Sequence, residues 1–471
     1  MGNCDNFLIM TIREFSLKYR REIFGIVTLT VLALIIRLAV ATPGFYDMPA
    51  RFSRPDTGGY LSPALALVET GRFDSAPDSG EAMAGRPPGF PLLIALVFRV
   101  FGESYPALIV MLSVIGALTV IPVYLCGRLW GSNTVATVAG GLFALNITAI
   151  ALSPMLLTDT LFAFFAAWQL YFFLLFHQTK RLRWCFVAIA IAALSALIRP
   201  IAMLWIFPGL FLIAIMPKMN ARNKIMAAIG SLIIFYAILT PWMLRNYNCG
   251  AGFCIDTNTG AMYHQNGAML LAKVNGTQYE DEKQRLLKEL DAEFANLDKY
   301  PDAASRVDYR ITKFRKLVFK HPFTYFSLHF SPYVLLPDVA TFCELLGISS
   351  SDRGTLNVLK SDGLIAATKH YFGGRTSIVF ALLPLLLIPS ICYAGAAWQL
   401  FKWIVQKQIF MLFLFLAFVE YFLFLPGPIT VPRYHLPALP LLAVMAAMVL
   451  VPTVQKISSQ IKIKKLRPEA Q

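Results

Sequence analysis

The sequence predicts an all-α polytopic membrane protein with about ten transmembrane helices and extracytoplasmic loop regions. Three observations predict it. Of 471 residues, 57% are hydrophobic and only 15% charged, with a mean hydropathy of +0.60, which is outside the range of soluble domains. Apolar runs of roughly 18 to 25 residues, each able to cross about 30 Å of hydrocarbon, recur along the whole chain. The short connectors between them alternate in charge, as expected when positive residues are retained on the cytoplasmic side.

The first apolar run, Ile23 to Val40, is long enough to remain as a helix and has no small-residue cleavage site after it. Arg13, Lys18, Arg20 and Arg21 precede it and place that end in the cytoplasm. Met1-Gly2-Asn3-Cys4-Asp5-Asn6 has Asn6 where an acylation signal needs Ser or Thr, so it is read as an ordinary terminus. A polar loop follows, with Arg51 to Pro91 rich in Pro and Gly: Pro55-Asp56-Thr57-Gly58-Gly59-Tyr60, an amphipathic turn with Leu61, Leu65 and Val68, then Arg86-Pro87-Pro88-Gly89-Phe90-Pro91.

Further spans are expected at roughly 105–126, 133–153, 156–176, 184–198, 200–216 and 224–244. Arg128, then Lys180, Arg181 and Arg183, then Lys218, Arg222 and Lys224 mark the cytoplasmic connectors. From Arg245 to about Arg375 the apolar density drops, and YEDEKQRLLKELDAEFANLDKY carries Leu286, Leu287, Leu290 and Phe294 at helical spacing. Phe314 to Leu346 is aromatic and broken by Pro322, Pro332 and Pro337, which suits helices lying along the membrane interface. Spans at about 377–400, 408–425 and 434–452 and a basic tail from Lys456 to Arg467 complete the chain. The expected organisation is a transmembrane core over 1–245 with its first loop at about 43–104, an extracytoplasmic domain over 246–375, and C-terminal helices over 376–471.

The net charge of +15 does not imply nucleic acid, because its basic residues fall mostly in connectors beside apolar runs, where they orient the chain. Of the seven cysteines only Cys249 and Cys254 are close, and a disulfide or two unrelated thiols fit equally. Charged residues at helix ends are commonly interfacial anchors. Here, however, Asp56, Asp159, Arg199, Arg245 and Arg433 all fall at the outer ends of different segments, where one outer-leaflet cavity could collect them.

The motifs PDTGGYLSPALALVETGRF and RPPGFPLLIAL, LTDTLF, ALIRP, TPWMLRNY, KHPFTYFSL and VPRYHLPALPLLAV, in that order, resemble those of the GT-C superfamily of polyprenyl-phosphate-sugar-dependent glycosyltransferases. The branch is that of protein O-mannosyltransferases and the lipid A aminoarabinose transferase. The resemblance covers nearly the whole chain and implies a GT-C fold, with Asp56 as the catalytic base and Asp159 supporting it. Thr57 stands where that family usually has a second acid, and Gly85 where some relatives have one before the basic-Pro motif.

Glycosyl transfer from a lipid phosphate needs a carboxylate to take the acceptor proton and cations to hold the departing phosphate. Arginine suits the second task because its planar fork binds phosphate at two points and keeps its charge. Arg54, Tyr60, Arg86, Arg199, Arg245, Arg433 and Tyr434 are therefore the candidate substrate-binding residues. The residues establish no cofactor. A divalent metal stays open, with the lone His264 its only nearby ligand type, although a stable site needs three or four ligands.

The expected function is transfer of a single sugar from a polyprenyl-phosphate donor to a glycolipid, lipopolysaccharide, cell-wall glycan or protein. It would take place on the extracytoplasmic face of a bacterial plasma membrane, with membrane lipids and no nucleic acid as partners. The alternative is a secondary transporter or flippase, which places ionisable groups at the bilayer midplane and often carries inverted repeats; neither is read in this chain.

Overall fold

A computed structural model describes residues 12–348, 355–372, 374 and 376–466. The stretch Met1 to Asn6, Arg375 and Arg467 lie outside the described residues. Among those described there is no strand, only an isolated antiparallel bridge between Asp74 and Ala82 in the first loop. The protein is an integral membrane protein built of helices. Among the described residues six are long and apolar enough to cross a bilayer: Glu22–Asp47, Tyr105–Trp130, Asp159–Thr179, Ala221–Asn248, Phe380–Val405 and Pro432–Ser459.

The other expected spans are helical but shorter, and the sequence explains where they break. The run at 133–153 divides into Asn133–Ala144 and Ile147–Leu152 because the Asn146 side chain accepts from the Thr148 and Ala149 amides and starts a new helix. Ser153 to Thr158 then runs without a helix, so the next one begins at Asp159. Pro200 holds Arg199 extended (φ −137°, ψ 122°), separating Leu182–Ala196 from a 3₁₀ turn Pro200–Trp205 and the helix Ile206–Ala214. The segment Ile409–Phe424 contains a π-helical turn, Leu416–Glu420, where the buried Trp205 indole donates to the Ala417 carbonyl at 2.9 Å.

Asp159–Thr179 packs against Leu182–Ala196, and Leu439–Leu466 packs against both Thr376–Val405 and Asn133–Ala144. Arg37, fully buried in the first helix, donates to Ser153 Oγ (2.9 Å) and to the Ala33 and Ala144 carbonyls (3.0 and 3.2 Å). It thereby satisfies a carbonyl freed where helix Asn133–Ala144 ends.

Two ends of this bundle differ in character. At one end Glu22 meets Arg128 (3.0 Å), Gln178 donates to the Leu129 carbonyl, Lys224 donates to the Ala214 carbonyl, and Trp130 packs on Trp403. At the other end the first loop touches the segment that follows Ala221–Asn248, with the Thr257 amide donating to the Ala84 carbonyl at 2.9 Å. That segment holds a small separate core of Tyr263, Ala268, Leu286 and Leu290, formed by helices Asn266–Asn275, Tyr279–Phe294 and Ala303–Lys320. We call it the outer lobe, after the side that the charge of the connectors predicts for it.

After it, Phe319, Phe323, Phe326 and Phe330 are exposed, as suits an interfacial stretch. Helix Val339–Leu345 instead buries Val339, Phe342, Cys343 and Leu345 in the main core. Cys249 and Cys254 are free thiols, and Cys254 Sγ lies 3.3 Å from the Ala251 carbonyl.

Candidate active site

The first loop is fixed to the bundle through its own polar residues. Thr57 Oγ1 accepts from the Arg54 amide (2.9 Å) and donates to the Leu156 carbonyl (3.1 Å), while the Leu156 amide donates to the Phe52 carbonyl (2.9 Å). A carboxylate at position 57 could accept but not donate, so Thr57 in this chain is a structural tie to the strand of backbone that leads into Asp159. Gly89 makes a second tie. Its amide donates to the Leu197 carbonyl at 2.7 Å, and a Cβ there would come within 2.8 Å of that oxygen and of Ile198. RPPGFP and ALIRP are thus two halves of one contact, and it sets Arg86 beside Arg199.

These ties leave Asp56 between two guanidiniums. Arg86 Nη2 donates to Oδ1 at 3.1 Å and Arg433 Nη2 to Oδ2 at 2.8 Å. Burial pushes the Asp56 carboxyl up, but Arg433 and Arg86 outweigh it and hold it below its ordinary value. Arg86 also donates to Tyr60 Oη (3.3 Å) and lies over its ring, and Gly59 gives it room, since a Cβ there would meet Arg86 Nε at 3.2 Å. A second pair stands alongside: Arg199 Nη1 donates to Asp159 Oδ1 at 2.5 Å, with the carboxylate side chain only 3% exposed. The Arg199 guanidinium lies 5.3 Å from the centre of the Tyr434 ring. Arg433 comes from the 3₁₀ turn Pro432–Ala438 ahead of the last helix, and its Nε is buried with no partner.

Asp56, Tyr60, Arg86, Asp159, Arg199, Arg433 and Tyr434 therefore line one cavity of about 340 Å³. Two sequence candidates are directed elsewhere. Arg54 binds Glu344 (2.5 Å) and Thr341 (3.2 Å) and lines a second cavity of about 440 Å³ on the far side of Arg433. Arg245 donates to the Phe73 carbonyl (2.6 Å), the Met83 carbonyl and Asn246 Oδ1, with its guanidinium over Trp242 and Phe73, so it braces the first loop.

Asp256, Thr259 and Gln265 of the outer lobe also line the first cavity and were not read from the sequence. Asp256 accepts from the Thr259 amide and hydroxyl (3.3 and 2.8 Å), and burial pushes its carboxyl up. Asp-Thr-Asn-Thr-Gly is the only available signal, and such a turn motif indicates backbone geometry rather than chemistry.

His264 does not line this cavity, and burial together with the cations Arg310 and Lys283 lowers its pKa. Among the described residues no group of three or more His, Cys, Asp or Glu side chains comes together. Asp56 and Asp159 are both held by guanidiniums.

Comparison with known proteins agrees with this architecture. A family model described as dolichyl-phosphate-mannose-protein mannosyltransferase matches residues 85–244. Among solved structures, the archaeal oligosaccharyltransferase AglB from Archaeoglobus fulgidus, in complex with an inhibitory peptide and a dolichol-phosphate, superposes with a TM-score of 0.53 at 14% identity, covering 96% of this chain and 53% of that one. The A. fulgidus oligosaccharyltransferase in complex with Zn and sulfate gives 0.51 at 14% identity, covering 94% and 50%, and its apo form 0.52 at 12%, covering 96% and 53%. The chain spans about half the length of these proteins. No curated protein sequence matches it. It is a polytopic membrane protein of the GT-C fold class, as the sequence motifs implied. Its resemblance within that class is to GT-C glycosyltransferases.

Proposed function

We propose that this protein transfers a single sugar from a polyprenyl-phosphate donor to an acceptor on the extracytoplasmic face of the membrane. The observation that carries the reading is the Asp56 carboxylate held by Arg86 and Arg433 in a cavity shared with the Asp159–Arg199 pair. Such a cavity supplies both things the reaction needs, a base and a cluster of cations. The donor phosphate lies against Arg199 and Arg433, whose unpartnered Nε supports a missing acceptor oxygen there.

Ile201 and Pro426, at the cavity edge, lead toward an apolar groove lined by Pro208, Phe211, Phe413, Leu416, Tyr421 and Leu425, which suits a polyprenyl tail. In the reaction Asp56 takes the proton from the acceptor hydroxyl as its oxygen bonds to the anomeric carbon. The bond from that carbon to the phosphate oxygen breaks, and the lipid phosphate leaves with its charge held by arginine. A carboxylate pinned by two arginines is a weak base, so a phosphate that draws Arg433 away also readies Asp56. Asp159 keeps Arg199 in place and acts through it.

Protein purified in detergent and given a polyprenyl-phosphate sugar tests this. Asp56→Asn keeps the side-chain shape and removes its basicity, and is expected to lower turnover by about 10²- to 10⁴-fold while donor binding persists. Wild-type turnover by folded Asp56→Asn rules the role out. Mass spectrometry of surface glycans and lipids in a deletion strain names the sugar and acceptor together.

A further inference from the structure

Against the outer lobe lies a third cavity, of about 400 Å³, whose lining includes Glu81, Thr257, Asp302, Arg306, Val307 and Arg310. Only Thr257 separates it from the reaction cavity along the chain, since Asp256 and Asn258 on either side line the latter. Its two arginines lie one turn apart on helix Ala303–Lys320, an arrangement in which like charges repel.

Some cations of the lobe are paired, Arg285 with Glu282 (2.6 Å), Lys299 with Glu293 (2.6 Å) and Lys313 with Glu289 (3.2 Å), and the unpaired Lys273, Lys288, Arg315, Lys316 and Lys320 line no part of this cavity. Among the described residues Arg306 and Arg310 are in no ion pair. Arg306 Nε donates only to the Tyr300 carbonyl, at 3.3 Å. Arg310 Nε is buried without a partner while its guanidinium lies 5.0 Å from the centre of the Phe294 ring, and the neighbouring His264 Nδ1 is unpartnered too. Of the two carboxylates at the rim, Asp302 is already committed to capping the helix through the Ser305 amide (2.8 Å), and Glu81 is exposed.

We propose that Arg306 and Arg310 form an acceptor subsite that takes an anionic group, a phosphate or carboxylate carried by a saccharide whose hydroxyl reaches Asp56. Two unpaired guanidiniums in a concave site match a doubly charged oxyanion, which each can bind at two points. Thr257, the residue between the two cavities, carries no charge. The placement rests on the transferase reading, but binding of an anion to this pair does not.

Binding of mannose 6-phosphate to the full-length protein in detergent, measured by calorimetry with the reaction cavity saturated by polyprenyl phosphate, tests the subsite. Wild type is expected to bind it, inorganic phosphate to compete, and mannose to compete far less. Arg306→Gln/Arg310→Gln is expected to weaken binding about tenfold or more through loss of charge-assisted hydrogen bonds, and Arg306→Lys/Arg310→Lys to retain part of it, which separates loss of charge from loss of folding. Equal binding by wild type and the Gln variant, no binding by wild type, or equal competition by mannose overturns the proposal. Failure of the wild type to bind polyprenyl phosphate, with mannose 6-phosphate still bound and lost in the Gln variant, overturns the transferase reading while leaving the anion site standing.

Discussion

At Asp56 two opposing forces meet, and their balance is measurable. Burial favours the neutral acid, while Arg433 and Arg86 favour the carboxylate and prevail. A base must be ionised to work, so activity dependent on Asp56 is lost only as pH falls through this lowered pKa. The acidic limb of kcat/KM, which reports the free enzyme, is therefore expected below the ordinary Asp value of about 3.9. Arg433→Gln removes the closer of the two guanidiniums and should move that limb to higher pH; an unmoved limb means it does not report this pair. Asp56, Asp159, Arg199 and Arg433 could be grouped from the sequence because ionisable groups at the ends of different segments fall together on one expected side, and Arg86 entered with the RPPGFP motif. Arg245 carried the same signature and, like the candidate Arg54, faces elsewhere, because a side chain's partner depends on packing that linear order does not encode. Asp256 gave no such signal: it sits in a polar lobe where acids are common, and only the fold brings it to the cavity.

Elements were readable by type more than by extent. Composition called for helices over the apolar runs but read the helices Gly89–Phe101 and Thr355–Tyr371 as loop and solvated segment, and the run at 133–153 is broken by one asparagine whose side chain competes for backbone amides. The π turn at Leu416–Glu420 coincides with a tertiary contact, the Trp205 indole reaching the Ala417 carbonyl, which the linear sequence does not reveal. Helix Tyr279–Phe294 was the most legible element outside the membrane, since Leu286 and Leu290 fall one turn apart and both are 1% exposed. The lobe core is small, so each of these leucines matters to it more than any one residue matters to the main core. Leu290→Ala is expected to cost about 2 to 5 kcal/mol locally. Hydrogen exchange should then speed up across Tyr279–Phe294 and Ala303–Lys320 but not across Asp159–Thr179. Equal acceleration in all three would mean that the lobe and the bundle unfold as one unit.

For the whole molecule the question is which end of the bundle faces outward, and charge provides the argument. Arg128, Lys180 and Lys224 were assigned to one side from sequence alone, and contacts such as Glu22–Arg128, Gln178 to Leu129 and Lys224 to Ala214 gather their connectors at one end of the helices. The first loop and the outer lobe meet at the other end, through Thr257 and Ala84 and through Arg245 and Phe73. Positive residues in short connectors stay on the cytoplasmic side, so the cavity around Asp56 is expected to open on the opposite, extracytoplasmic side, as the proposed function requires. Ser79 in the first loop and Ala303 in the lobe are both exposed, which makes them suitable reporters. In a background cleared of the seven native cysteines, Ser79→Cys and Ala303→Cys should both react with a membrane-impermeant thiol reagent in intact cells, and Arg181→Cys only after the cells are opened. Labelling of one loop reporter without the other would separate two segments that the fold holds in contact. Labelling of Arg181→Cys alone would invert the protein and place Asp56 on the side where the basic connectors are expected to stay.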